Sequence, residues 1–146
     1  MSKIATMNAS DMEIARTIES QVMELDQVEI TTDHTIHGGI YIRTITMKKG
    51  TVLVGAEIMI PTSLIINGHL NIVIGGENIE FIGNHVISAS AGRKQVITAL
   101  EDSTLSMLFR TDAKTIEEAE NEFTHEADRL MSRLPGAINN INITGE

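Results

Sequence analysis

Gly39-Ile40-Tyr41-Ile42-Arg43-Thr44-Ile45-Thr46-Met47-Lys48-Lys49-Gly50 is the stretch that decides the fold. Isoleucine, threonine and tyrosine, the residues that suit a pleated half-buried surface, dominate the run from Ile40 to Met47, and Lys48-Lys49-Gly50 follows it as a turn signal. The same texture extends from Val28 to about Arg110. Short runs rich in Ile, Val and Thr are punctuated by Gly38-Gly39, Gly50, Gly55, Gly68, Gly75-Gly76, Gly83 and Gly92, which is the rhythm of an all-β sandwich or barrel.

The pattern predicts strands at Val28–Thr32, Ile40–Met47, Thr51–Ile60, Leu64–Ile66, Leu70–Ile74, Glu77–Ile82, His85–Ser88, Gln95–Ala99 and Ser103–Phe109. Asn67-Gly68 and Gly75-Gly76 read as tight turns, since both central residues of such a turn take positive φ. Asp33-His34-Thr35-Ile36-His37, lying ahead of Gly38-Gly39, reads as a loop.

Helices flank this core. Ser10-Asp11-Met12-Glu13 has the form of a capping box, and Ile14, Ile18, Val22 and Leu25 then recur at helical spacing while Glu19, Gln21 and Glu24 take the wet side. Thr115-Ile116-Glu117-Glu118 is a second capping box, opening a helix whose apolar stripe is Ala119, Phe123, Ala127, Leu130 and Leu134, before Pro135-Gly136 stops it. The expected organisation is a single domain over residues 1–146, with a barrel core at about 28–110 and helices at about 10–26 and 115–134. The weakly alternating tail from Ala137 to Thr144 could add an edge strand or pair with another subunit.

Composition narrows the chemistry. With 20 acidic against 11 basic residues and a formal charge of −9, the chain is unsuited to broad attraction to nucleic acid or anionic lipid, although a few local cations can still hold a small anion. The absence of cysteine excludes disulfides, thiolate metal sites and thiol catalysis. No apolar leader segment or membrane-length apolar run stands out, so a cytoplasmic location is expected.

Gly39 to Gly50, then Gly55, Gly68-His69-Leu70-Asn71-Ile72, Ala91-Gly92-Arg93-Lys94-Gln95 and Leu100-Glu101-Asp102 follow one another in an order that resembles a cupin barrel. More narrowly, it resembles the small cupin-like proteins of tailed bacteriophages, which would place the protein in the host cytoplasm. The resemblance implies a mainly β fold, a double-stranded β-helix or jelly-roll barrel. It also implies positions for metal ligands. The two histidines of the family's first motif fall on Ala56 and Ile58, its glutamate on Thr62 or Ser63, and the histidine of its second motif on Gln95. A divalent centre needs three or four nitrogen or oxygen donors converging at about 2 Å, so neither metal nor other cofactor is expected. A shifted register would supply at most Glu57.

Other constellations read more simply as structure. His34-x-x-His37 lacks further ligands nearby, and a lone histidine such as His69 or His85 more often serves a backbone group than a metal. Glu122-x-x-His125 has di-iron spacing without a second copy, so Glu122, His125, Glu126 and Arg129 are expected to form a solvated stripe. Ser63, Ser88, Ser90 and Ser106 have no nucleophile elbow, and no catalytic residue is assigned.

The candidate ligand-binding residues are Tyr41, Arg43, Arg93, Lys94 and Gln95. Tyr41 and Arg43 share one strand face, as do Arg93 and Gln95. Facing inward, they would suit a planar anion such as a nucleotide, cyclic nucleotides included, with Arg on phosphate, Tyr stacked on the base and Gln at its edge. The expectation is a non-enzymatic binding module, forming a homo-oligomer, that sequesters a nucleotide signal and so counters host defence. The competing expectations are an isomerase-like enzyme using His69 or His85 as base, and a phage assembly protein.

Overall fold

The computed structural model describes residues 3–25, 27–74 and 77–146. Its elements are β1 (Lys3–Ile4), α1 (Ala9–Val22), β2 (Thr31–His37), β3 (Ile40–Met47), β4 (Val52–Val54), β5 (Thr62–Ile74), β6 (Glu77–Ala89), β7 (Val96–Ala99), β8 (Ser103–Arg110), α2 (Ile116–Phe123) and β9 (Ile138–Ile143). Two short 3-10 turns, Ala127–Arg129 and Met131–Arg133, join α2 to β9.

Antiparallel pairing is nested. β5 pairs with β6 innermost, from Thr62↔Ala89 to Ile74↔Glu77; β4 pairs with β7 outside it; β3 pairs with β8 outermost, from Ile40↔Arg110 to Met47↔Ser103. The long hairpin is rolled up because β5 also pairs with β8 through its first half, Ser63↔Leu108 to Asn67↔Thr104, and with β7 through its second half, Leu70↔Ala99 to Val73↔Val96. Nested hairpin pairs closed in this way form a jelly-roll barrel. β2 extends the sheet beside β3, β9 runs parallel to β2 at one end, and β1 runs parallel to β6 at the other. The main core fills the barrel with Leu64, Ile66, Leu70, Ile72, Met107 and their neighbours, and α2 packs Ala119 and Phe123 onto it.

Several expectations give way. Asn67-Gly68 is no turn but the middle of β5, where Gly68 pairs with Gly83. Gly68 has φ +131° and lies so close to Ser103 that a Cβ would collide with its side chain. The positive φ that marked a hairpin serves instead to bend one continuous strand where it leaves β8 for β7. Hence the paired fragments expected on either side of Gly68 and of Gly83 fuse into the thirteen-residue strands β5 and β6. The turn expected at Gly75-Gly76 lies outside the described residues. Thr51–Ile60 is a strand only over Val52–Val54, with Ile58 bridging singly to Arg93. The strand expected at Val28–Thr32 begins at Thr31 and continues to His37, so His34 and His37 are strand residues and not loop residues.

The helices shift as well. Asn8 and not Ser10 caps α1, its side chain accepting from the Asp11 N–H while the Asp11 carboxylate accepts from Asn8 N–H. The face turned inward carries Ala15 with Met12 and Ile18, packed on Val54 and Val96; Ile14 and Leu25 are exposed. Position 26 is outside the described residues. Thr115 caps α2 as expected, accepting from Glu118 N–H at 3.2 Å, but the helix stops at Phe123. There the barrel takes over its carbonyl, which accepts from Met59 N–H at 2.8 Å. Ala127 and Leu130 still reach the core from the following turns, whereas Leu134 is exposed. Among the described residues no helix is long and apolar enough to cross a membrane.

Candidate ligand cavity

A cavity of about 130 Å³ lies inside the barrel, walled by Ile45, Leu64, Ile97, Leu105, Met107 and Phe123. Three of the five candidate residues, Arg43, Arg93 and Gln95, line it together with Thr32; Glu19, Glu126 and Arg129 also border it. Tyr41 and Lys94 are not in its wall.

Tyr41 lies behind the wall in an aromatic cluster. Its ring meets Phe109 edge-on at 5.4 Å and stacks on Phe123 at 6.5 Å, and the residue is wholly buried. The hydroxyl sits 2.7 Å from His34 Nδ1, and His34 Nε2 sits 2.7 Å from Asn139 Oδ1. Because Asn139 Oδ1 can only accept, Nε2 carries the proton and Tyr41 donates to Nδ1. Burial lowers the His34 pKa and raises that of Tyr41, which keeps both neutral.

Arg43 is engaged through both terminal nitrogens. Its Nη1 donates to Glu120 at 2.8 Å, its Nη2 donates to Ser132 Oγ at 3.0 Å, and the guanidinium lies 5.6 Å from the centre of the Phe123 ring. Glu120 also accepts from Ser132 at 2.6 Å and from Arg133 Nε at 2.8 Å. Burial pushes the Glu120 pKa up, but these hydrogen bonds and the Arg43 charge outweigh it, holding the carboxyl below its ordinary value. Glu120 escaped the sequence reading, although it lies one turn after Ile116 and one before Phe123, on the helix's apolar face.

Arg93 differs in kind. The residue is 0% exposed, and its Nη1 donates to the Ser90 carbonyl at 2.8 Å and its Nη2 to Thr62 Oγ1 at 2.6 Å. Among the described residues no carboxylate faces it, and Nε has no hydrogen-bond partner. Burial lowers its pKa to about 10, so the guanidinium stays charged at neutral pH. Gln95, likewise buried, leaves Nε2 without a partner.

Lys94, also 0% exposed, turns away from the cavity. Its ammonium donates to Glu19 at 2.9 Å and Glu126 at 3.0 Å. Arg16 bridges Glu57 and Glu126 at 2.9 and 3.0 Å, Arg129 approaches both Glu19 and Glu126, and Glu57 N–H donates to Glu126 at 2.9 Å. Burial works against ionisation of Glu126, but these donors prevail and hold its pKa at about 2. Glu19 and Glu126 are therefore not the solvated residues expected from helical spacing: α1 and the turn after α2 converge over Lys94.

The positions that the resemblance marks for metal ligands do gather here, since Ala56, Ile58 and Gln95 all line the cavity. They present a methyl, an aliphatic chain and a carboxamide, while the Thr62 hydroxyl already accepts from Arg93, and this donor set does not fit a divalent ion. The Glu57 carboxylate is bound by Arg16. Among the described residues no cluster of three or more His, Asp or Glu could hold a metal. His69 lies beside Glu80, its Nε2 3.1 Å from that carboxylate, and His85 Nε2 is 2.8 Å from the Ile82 carbonyl; neither borders the cavity. His37 meets Thr144, Glu122 accepts from Thr111, and His125 is exposed beyond the end of α2.

No protein-family model matches the chain. No curated protein matches it in sequence. Similar solved structures include a cupin superfamily protein from Desulfitobacterium hafniense, with 14% identity and a TM-score of 0.49, covering 60% of this chain and 84% of that one. A cupin-2 domain containing protein from Shewanella frigidimarina has 11% identity and a TM-score of 0.46, covering 68% and 98%. KdgF from Halomonas sp. has 19% identity and a TM-score of 0.48, covering 62% and 90%. These likenesses carry over neither substrate nor reaction; the fold, on its own nested strand pairing, is a mainly β jelly-roll barrel.

Proposed function

We propose that the barrel binds a small organic anion, and that the protein acts by holding this ligand and not by transforming it. The observation that carries this reading is Arg93, a charged group sealed inside the barrel with neutral acceptors only. An isolated buried charge is costly, and a ligand carboxylate or phosphate at the cavity wall would supply the missing counter-charge. Among the described residues the lining carries neither histidine nor aspartate, and its two glutamates, Glu19 and Glu126, are held by Lys94 and arginines, which favours binding over catalysis.

Sequestration of a nucleotide signal by a phage-encoded protein is the narrower version, suggested by the resemblance. It asks for more room than about 130 Å³, since pockets for drug-sized ligands run to roughly 300–1,000 Å³. Tyr41, which would stack the base, lies behind the wall. Self-association, also expected from the sequence, would draw on the strip formed by Ile65, Ile82 and Val86, exposed on the outer face of the β5–β6 hairpin.

The test is thermal unfolding of the whole protein against small carboxylates, inorganic phosphate and mono-, di- and cyclic nucleotides, with and without chelator. A ligand at a hundred times its Kd adds about 2.7 kcal/mol to the native state. A rise in Tm with an anion, unchanged by chelator, supports the reading. A fall with chelator alone would overturn it in favour of a metal-dependent role.

A further inference from the structure

We infer that the ligand is a compact monocarboxylate, its acid head taken by Arg93 and Gln95 and its apolar body by Leu64, Ile97, Leu105 and Met107. The inference rests on the reading of the barrel as an anion site and specifies its chemistry.

The number of open donors sets the head group. Two of the buried side-chain nitrogens without partners, Arg93 Nε and Gln95 Nε2, belong to residues in the wall of this one cavity. Leaving a buried donor unpaired costs about 1–3 kcal/mol, so two of them on residues of one wall mark a place for an acceptor. Arg93 already gives Nη1 to Ser90 and Nη2 to Thr62 and the Met107 sulfur, which leaves Nε as its one nitrogen without a partner. One guanidinium nitrogen and one amide nitrogen match the two oxygens of a carboxylate, and the hydrogen bond from the guanidinium is charge-assisted.

The charge inventory sets the valence. Of the cations in the lining, Arg43 is met by Glu120 and Arg129 by Glu19 and Glu126, which leaves Arg93 uncompensated among the described residues. A dianion would bring a second charge with no counterpart in the wall, and Glu19 and Glu126 border the same cavity. Volume and lining set the body. A space of about 130 Å³ surrounded by aliphatic side chains is comparable with the ~150 Å³ engineered cavity that accepts benzene. Short branched aliphatic acids and benzoate are of this size.

Isothermal titration calorimetry of the full chain with isovalerate and benzoate, compared with benzamide, succinate and inorganic phosphate, tests the assignment. The expected result is saturable binding of the two monocarboxylates, at least tenfold weaker binding of the other three, and at least a tenfold loss in Arg93→Met. Gln95→Leu, which leaves Arg93 in place, should weaken binding severalfold. Tighter binding of succinate or phosphate than of benzoate would overturn the monocarboxylate assignment while sparing the anion site. Monocarboxylate binding unaffected in both variants would overturn the placement of the head. No binding by any carboxylate, phosphate or nucleotide would overturn the underlying reading and the inference with it.

Discussion

Arg93 and Lys94 are consecutive residues, both sealed from solvent, and the fold treats their charges in opposite ways. The chain is near-extended as it leads into β7, so neighbours point to opposite sides. Lys94 points outward beneath α1 and finds two carboxylates within 3.0 Å, each further tied to arginine. Arg93 points into the barrel and finds a carbonyl, a hydroxyl and a sulfur. A buried cation with its counter-ions supplied by the chain is a structural joint. A buried cation without them is a cost that the fold bears, and ligand binding gives that cost a purpose.

The largest effect should come from breaking the joint. Lys94→Met leaves Glu19 and Glu126, each under a fifth exposed, facing one another with only Arg16 and Arg129 to compensate. Removing one partner of a buried ion pair costs about 3 kcal/mol. The urea midpoint should fall accordingly. A loss near zero would mean that the two flanking arginines hold the carboxylates unaided, and that Lys94 is no better integrated than Arg93.

Acid should sharpen the same contrast at smaller scale. Glu126 has its pKa depressed from 4.5 to about 2, so between these values the folded state binds fewer protons than the unfolded one. Its contribution is therefore present above the ordinary carboxylate value and is lost as pH falls through about 2. Glu126→Gln should lower stability at neutral pH and flatten the acid limb of the urea midpoint measured against pH. An acid limb identical to that of the wild type would place the acid sensitivity elsewhere, with Glu120 the next candidate.

How much of this was legible in the sequence depended on the range of the forces involved. Ile40–Met47 could be read to the residue because its composition and its flanking turn signals are local. Arg93 and Gln95 could be placed on one face by their spacing of two, and both do border the cavity. Tyr41 obeyed the same spacing relative to Arg43, yet the barrel interior at its level is filled by Phe109 and Phe123, a fact of packing that no spacing encodes. Gly68 advertised a turn because positive φ is a local property, whereas the approach of Ser103, thirty-five residues later, decides its use. The burial of Lys94 was hidden for the same reason, since Glu19 and Glu126 come from opposite ends of the chain. The period of Ala119, Phe123, Ala127 and Leu130 located core contacts correctly but could not reveal that the helix gives way to 3-10 turns after Phe123.

The smallest effect on stability should be that of removing the uncompensated charge itself. Arg93→Met relieves the desolvation of a guanidinium but leaves the Ser90 carbonyl and the Thr62 hydroxyl without their donor. These contributions are opposite in sign and each of the order of 1–3 kcal/mol, so the net change at neutral pH should lie within about 1 kcal/mol. The difference should instead appear in alkali. Arg93 is a base whose folded pKa, about 10, lies below its ordinary 12.5, so the unfolded state binds more protons in that window and stability rises with pH there. Other groups titrate in the same range, but they are common to both proteins, and the difference between wild type and Arg93→Met isolates the arginine. Urea midpoints measured from pH 8 to 11 should converge or cross in favour of the wild type as pH rises. If Arg93→Met were instead as damaging at neutral pH as Lys94→Met, Arg93 would be a strut fixed by Ser90 and Thr62, and the contrast between the two neighbours would collapse.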